Sequence, residues 1–194
     1  MKLNAAYRLT AVPALIESQD FGLSDLFHNK QFLQGLMHDK SYKKVKFAGF
    51  ELGKVSQGKN AIAFFLPRKD FIVYYVQLSK IELPQIGEAV MQTAVWRALG
   101  KAPPGITSAV FERIIDKYKI IVSDSLQTKE GRSFWVARLQ EAFDKGHKVA
   151  LLHKQTRVDL TTEEELDQYL NPKSFSHAWG TDESFADFRF IIIK

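Results

Sequence analysis

The sequence predicts an α+β (or α/β) chain built on a mixed, mostly antiparallel sheet flanked by helices. Two observations carry that expectation. Segments rich in β-branched and aromatic residues precede, separate and follow segments whose apolar residues recur at three-and-four spacing. The first strand-like segments are joined by SQGKN and RKD, both of hairpin length, which calls for an antiparallel meander.

Taken in order, Ser24 and Asp25 cap a helix that continues through Phe32, Leu33, Leu36 and Met37. Three strands follow, at Val45 to Val55, Ala61 to Pro67 and Phe71 to Ile81. In the first, Val45, Phe47, Gly49, Glu51 and Gly53 share a face, and the glycines mark a bend, a bulge or a close approach of a ligand. A loop with Pro84 and Gly87 leads to Val90, Met91, Ala94, Val95, Trp96 and Leu99, read as a short helix ended by Gly100. A third helix starts near Gly105, with Ile106, Ala109, Val110, Ile114 and Ile115 on its apolar face. Lys119 to Asp124 is a buried strand with a polar end, and Phe134, Trp135 and Leu139 belong to the core face of the next helix. His147 to His153 reads as a strand. Thr161 with Glu164 and Thr162 with Glu165 form capping boxes for a helix carrying Leu166, Tyr169 and Leu170 and stopped by Asn171-Pro172. Phe188 to Lys194 closes the chain as a strand.

At 194 residues the expectation is one domain over 1–194 with its own core. There is no cysteine, so disulfides and thiolate ligands are excluded. No apolar run reaches the roughly 18 to 20 residues of a membrane span, and the first twenty residues lack a signal-peptide pattern. A cytoplasmic protein without membrane contact is expected. The formal charge of +5 favours anionic partners, nucleic acid or a phosphorylated cofactor, and Lys43, Lys44 and Lys46 form the densest basic group.

The loop Lys101 to Gly105 has two readings. Its lysine and the free N–H groups of the following helix suit a phosphate, with Gly105 allowing close approach. Alternatively, the prolines only set the chain direction and the glycine relaxes a turn.

A meander, a Gly-containing loop opening a helix, a strand, a helix and two last strands is an order of elements that resembles the GNAT acyltransferase superfamily. The local similarity runs from about Phe47 to Phe143. The family's cofactor loop reads Arg/Gln-x-x-Gly-x-Gly/Ala; the comparable residues are Ala102-Pro103-Pro104-Gly105-Ile106-Thr107, with the middle glycine matched and Lys101 supplying the cation one residue away. The resemblance implies an acetyl-CoA (or other acyl-CoA) cofactor and acyl transfer to an amine acceptor. It implies Phe71 to Ile81 and Lys119 to Asp124 as parallel neighbours, with Gln77, Leu78 and Ser79 facing the pantetheine arm and Lys101, Gly105, Ile106 and Thr107 at the pyrophosphate. The family's acid is often a tyrosine, where Gly131 to Trp135 offers only Phe134 and Trp135. The candidate catalytic groups are then Ser123 as proton donor and Asp124 or Glu51 as base, with Glu82 as a further carboxylate.

No metal spacing such as HExxH occurs among the five histidines, His177 included, and neither GxSxG nor a Walker loop is present. Two other function classes stay open at this level: an inactive scaffold that binds or regulates, and a basic nucleic-acid-binding protein.

Overall fold

The computed structural model describes residues 23, 25–83, 86–124, 129–153, 156–170 and 188–194; Ser24, Pro84, Asn171-Pro172 and His177 lie outside them. Helix α1 (Leu26–Met37) begins at Asp25, whose carboxylate accepts from the His28 N–H at 2.7 Å. Five strands then zigzag: β1 (Lys43–Phe47), β2 (Phe50–Gln57), β3 (Ala61–Arg68), β4 (Phe71–Leu83) and β5 (Gly87–Arg97), each antiparallel to the one before. Helix α2 (Ile106–Tyr118) returns the chain to β6 (Ile120–Val122), which lies parallel to β5. Helix α3 (Lys129–Asp144), β7 (Lys148–His153), β8 (Thr156–Leu160), α4 (Glu163–Leu170) and β9 (Phe188–Ile193) complete the described elements. Among them the nine strands form one open mixed sheet, in the order β1-β2-β3-β4-β5-β6-β9-β7-β8.

Alternation along the strands assigns the two faces. One packs Phe64, Tyr74, Val76, Val90 and Ile121 against Ile106, Val110 and Ile114 of α2, Trp135 and Leu139 of α3, and Leu166 of α4. The other packs Val55, Phe65, Tyr75 and Trp96 against Leu33 and Leu36 of α1. Asn29, buried in α1, pins that helix to the sheet: its side-chain oxygen accepts from the Ile72 N–H at 2.6 Å and its amide donates to the carbonyls of Leu23 and Ile72. Thr162 and Glu165 make their capping box, with the Glu165 N–H donating to Thr162 Oγ1 at 3.2 Å and Glu165 Oε2 accepting from the Thr162 N–H at 3.3 Å.

The architecture corrects the fold class drawn from the sequence. Strand outweighs helix, and the segment expected as a short helix before Gly100 is β5, an eleven-residue strand. Its partner decides the matter: ten register pairs with β4 place Val90, Val95 and Trp96 against neighbouring strands, and tertiary pairing overrides local helix propensity. Because β5 stands between them, Phe71–Leu83 and Ile120–Val122 are not neighbours and run antiparallel to one another. The GNAT-like acyltransferase architecture, as expected with those two strands as parallel neighbours, is therefore not what the chain forms. A second correction concerns Val45 to Val55, which is two strands joined at Ala48-Gly49, both with positive φ, the geometry a tight hairpin demands. Gly53 has a different reason. A Cβ there would sit 2.4 Å from the Phe65 ring, so the missing side chain is what lets that ring lie on β2.

Candidate functional site

The centre of the sheet carries a split. β6 pairs with β5 only at Val90↔Ile121 and Met91↔Val122, while β5 runs on to Arg97. Along Gln92–Val95 the side of β5 turned away from β4 has no partner strand among the described residues. A bulge sits at the same level: Ala94 pairs with Gln77 and Gln92 with Leu78, leaving Thr93 over, its hydroxyl 3.4 Å from the Gln77 carbonyl. An extra residue bends and twists the strand that carries it.

Directly beyond the split, the chain turns through Ala98 to Gly105 into α2. The N–H groups of Lys101 and Ala102 both donate to the Ala98 carbonyl, and Arg68 donates to the Lys101 carbonyl at 2.9 Å, stapling the loop to the end of β3. The Lys101 ammonium stands 5.1 Å from the centre of the Phe71 ring. Gly105 is the N-cap in the left-handed region, φ 73°, with no side-chain cap and no acidic residue in the first turn. Ile106 reaches back to the Pro103 carbonyl at 3.4 Å, and the next N–H with a partner is that of Ala109, to Gly105. Among the described residues the Thr107 and Ser108 N–H groups have no acceptor, which leaves them as donors at the positive end of the helix.

Two buried polar side chains face α2 from the sheet. Gln92 is 5 % exposed and Tyr74 is 1 % exposed, and neither side chain makes a hydrogen bond among the described residues. Burial pushes the Tyr74 phenol well above the ordinary tyrosine value, with the charge of Arg97, its register partner, working the other way.

The residues singled out from the sequence fall in several places. Lys101, Gly105, Ile106 and Thr107 come together at the start of α2, although Ile106 is fully buried there as a core side chain and only its backbone lies at the loop. Gln77, Leu78 and Ser79 lie one strand away from the split, with their backbone in register with β3 on one side and β5 on the other. Ser123 and Asp124 follow the last β5–β6 pair. Ser123 is 1 % exposed; its N–H donates to the Phe190 carbonyl and its Oγ accepts from the Phe190 N–H, both at 2.8 Å, so the hydroxyl extends the β6–β9 ladder. Asp124 is partly buried at the mouth of the split. Glu51 is distant: three strands separate β2 from β6, roughly 19 Å at the usual spacing, and it lies exposed beside Lys44 at 3.5 Å. Glu82 faces Glu88 at the far end of β4. The sequence did not single out Gln92 and Thr93, whose signal was the β-branched and aromatic content of Val90, Thr93, Val95 and Trp96 that a helical reading of the segment obscured, nor Tyr74, which lies in an expected strand and is placed facing α2 only by the sheet.

A second cleft of about 250 Å³ opens at the other end of α2, between α2, α3 and β7, and its charges are matched. Lys145 bonds Glu112 at 2.6 Å and Glu141 at 2.7 Å, Arg138 lies 2.7 Å from Glu141, and Lys194 bonds Asp116. No group of histidine and carboxylate side chains able to hold a metal ion occurs among the described residues. No described helix is long and apolar enough to cross a membrane. No protein-family model matches the sequence, and no curated protein matches it either.

Proposed function

We propose that the chain binds an acyl-CoA in the split beside β5 and transfers the acyl group to an amine. The observation that carries this reading is the side of Gln92–Val95 that has no partner strand among the described residues, in the middle of a sheet, leading into a helix start whose first N–H groups have no acceptor among those residues. An extended arm bearing amides pairs with an open strand as an added strand does. Its phosphates would then meet the Thr107 and Ser108 N–H groups and the positive end of α2, with Lys101 on the same loop.

In the reaction the amine nitrogen attacks the thioester carbon, the carbon–sulfur bond breaks, the amine loses a proton and the thiolate gains one. Backbone N–H groups of β5 near the Thr93 bulge polarise the carbonyl. Asp124, two residues past the last β5–β6 pair, serves as base. Ser123 is assigned to holding β9, since its hydroxyl accepts from the Phe190 N–H, and Glu51 to the surface of β2, since three strands lie between it and β6. A binder without turnover is the second reading. What favours it is that Trp135, in the stretch to which the resemblance gives an acid, has no acidic proton to supply and is buried against Phe111 with centroids 5.7 Å apart.

Calorimetry and thermal melting with acetyl-CoA test the site, and free-thiol release with an amine panel tests the chemistry. Gly105→Asp places a carboxylate against the phosphates and is expected to weaken acetyl-CoA binding about tenfold or more, roughly 1.4 kcal/mol. Asp124→Asn is expected to slow thiol release roughly 10²-fold with affinity unchanged. Unchanged affinity in folded Gly105→Asp would remove the split as the site. Binding with no thiol released from any amine would leave the binder.

A further inference from the structure

The face of the sheet that carries α2 also collects lysines. Lys54 of β2 is the direct cross-strand partner of Lys43 of β1, and like charges in that relation are destabilising. Lys54 also pairs with Phe64, and its ammonium stands 6.0 Å from that ring. Register carries the face across the sheet: Phe64 pairs with Val76, and Lys80 follows four residues along β4 on the same side. Lys117, in the last turn of α2, places its ammonium 5.0 Å from the Tyr118 ring.

None of these four lysines forms an ion pair among the described residues. Other lysines do: Lys30 with Asp70, Lys44 with Glu51, Lys145 with Glu112 and Glu141, and Lys194 with Asp116. Burial holds the Lys54 ammonium below the ordinary lysine value, and the charges of Lys117, Lys43 and Lys80 push the same way, with no carboxylate acting against them. The nearest acids by register on that face are Glu82 and Glu88, which pair across β4 and β5 beyond Lys80.

We propose that Lys43, Lys54, Lys80 and Lys117 form a docking surface for the phosphodiester backbone of nucleic acid. The composition of the patch selects that partner over an acidic protein. Protein interfaces are depleted of lysine and enriched in arginine and exposed aromatics at their centres, whereas lysine point charges on phosphates are the usual sequence-independent contact. The patch offers lysines alone, with its two rings beneath the ammoniums as ring-face partners. It does not depend on the acyl-transfer reading, because its residues are not those of the split.

The test is fluorescence anisotropy of the full chain with a labelled duplex of about 20 base pairs over a salt series. Each phosphate neutralised contributes roughly 0.9 to the slope of log affinity against log salt. Lys54→Gln with Lys117→Gln is expected to reduce that slope by about two. The control Lys44→Gln, on the opposite face of β1 and already paired with Glu51, is expected to leave it unchanged. The proposal is overturned by any of three results: no duplex binding by the wild type at low salt, an unchanged slope in the double variant with an intact circular dichroism spectrum, or tighter binding of polyglutamate than of the duplex through the same lysines.

Discussion

The two ends of α2 meet the rest of the molecule in opposite ways. At its C-terminal end Glu112 and Asp116 are tied to Lys145 and Lys194, and through Lys145 to Glu141, so that α2, α3 and the residue after β9 are held together by charge. At its N-terminal end there is no side-chain cap, no acidic residue in the first turn and, among the described residues, no partner for the Thr107 and Ser108 donors. A helix start left with donors, while the carboxylates toward its other end are paired, has those donors available for a ligand. The matched end stabilises; the open end is where binding is proposed.

The change with the largest expected effect strikes both ends alike. Trp135, in contact with Phe111 in the middle of α2, is fully buried, and Trp135→Ala is expected to cost roughly 3–5 kcal/mol in urea unfolding. A loss under 1 kcal/mol would show that α2 is not anchored through this contact. Ser123→Ala comes next. It removes the acceptor of the buried Phe190 N–H and is expected to cost about 1–3 kcal/mol. A stability-neutral Ser123→Ala that slows thiol release would instead return Ser123 to catalysis.

Smaller effects are expected at the matched end. Glu141→Gln breaks contacts that are partly exposed, so about 1 kcal/mol or less is expected. The Lys145 hydrogen bond is the main cause holding the Glu141 carboxyl below the ordinary glutamate value of 4.5, so its contribution is complete above that value and is lost as the pH falls below it. The smallest effect belongs to His147. Burial lowers its pKa from 6.5, and Lys194 and Lys145 act in the same direction. Its neutral form is the one that suits the fold, so stability should decline as the pH drops below 6.5, and melting curves of His147→Gln should be flatter between about pH 7 and 5.5. Neither acidic step should alter acetyl-CoA binding at neutral pH, where the open end is unaffected.

Much of the secondary structure was legible because it rests on local chemistry. Asp25 caps α1, Gly105 opens α2 and Thr162 with Glu165 opens α4, each through contacts within a turn of the residue itself. The strands β3, β4, β6, β7 and β9 announced themselves by β-branched and aromatic content. β8 was not foreseen, since Thr156–Leu160 is half polar and takes its shape from pairing with β7.

Of the candidate site, the loop could be read in the sequence and the split could not. Lys101, Gly105 and Thr107 are neighbours along the chain, so the sequence by itself determined that they stand at one helix start. Tertiary structure alone decided that Gly87–Arg97 is a strand, because its residues suit a helix nearly as well and only the long register with β4 settles the choice. The same pairing separated Gln77–Ser79 from the split and brought Gln92 and Tyr74 to face α2, and the β1–β2 register set Lys54 opposite Lys43. Side-chain identity determines what a residue can do within its own turn of chain; which distant strand lies beside it is a property of the whole sheet.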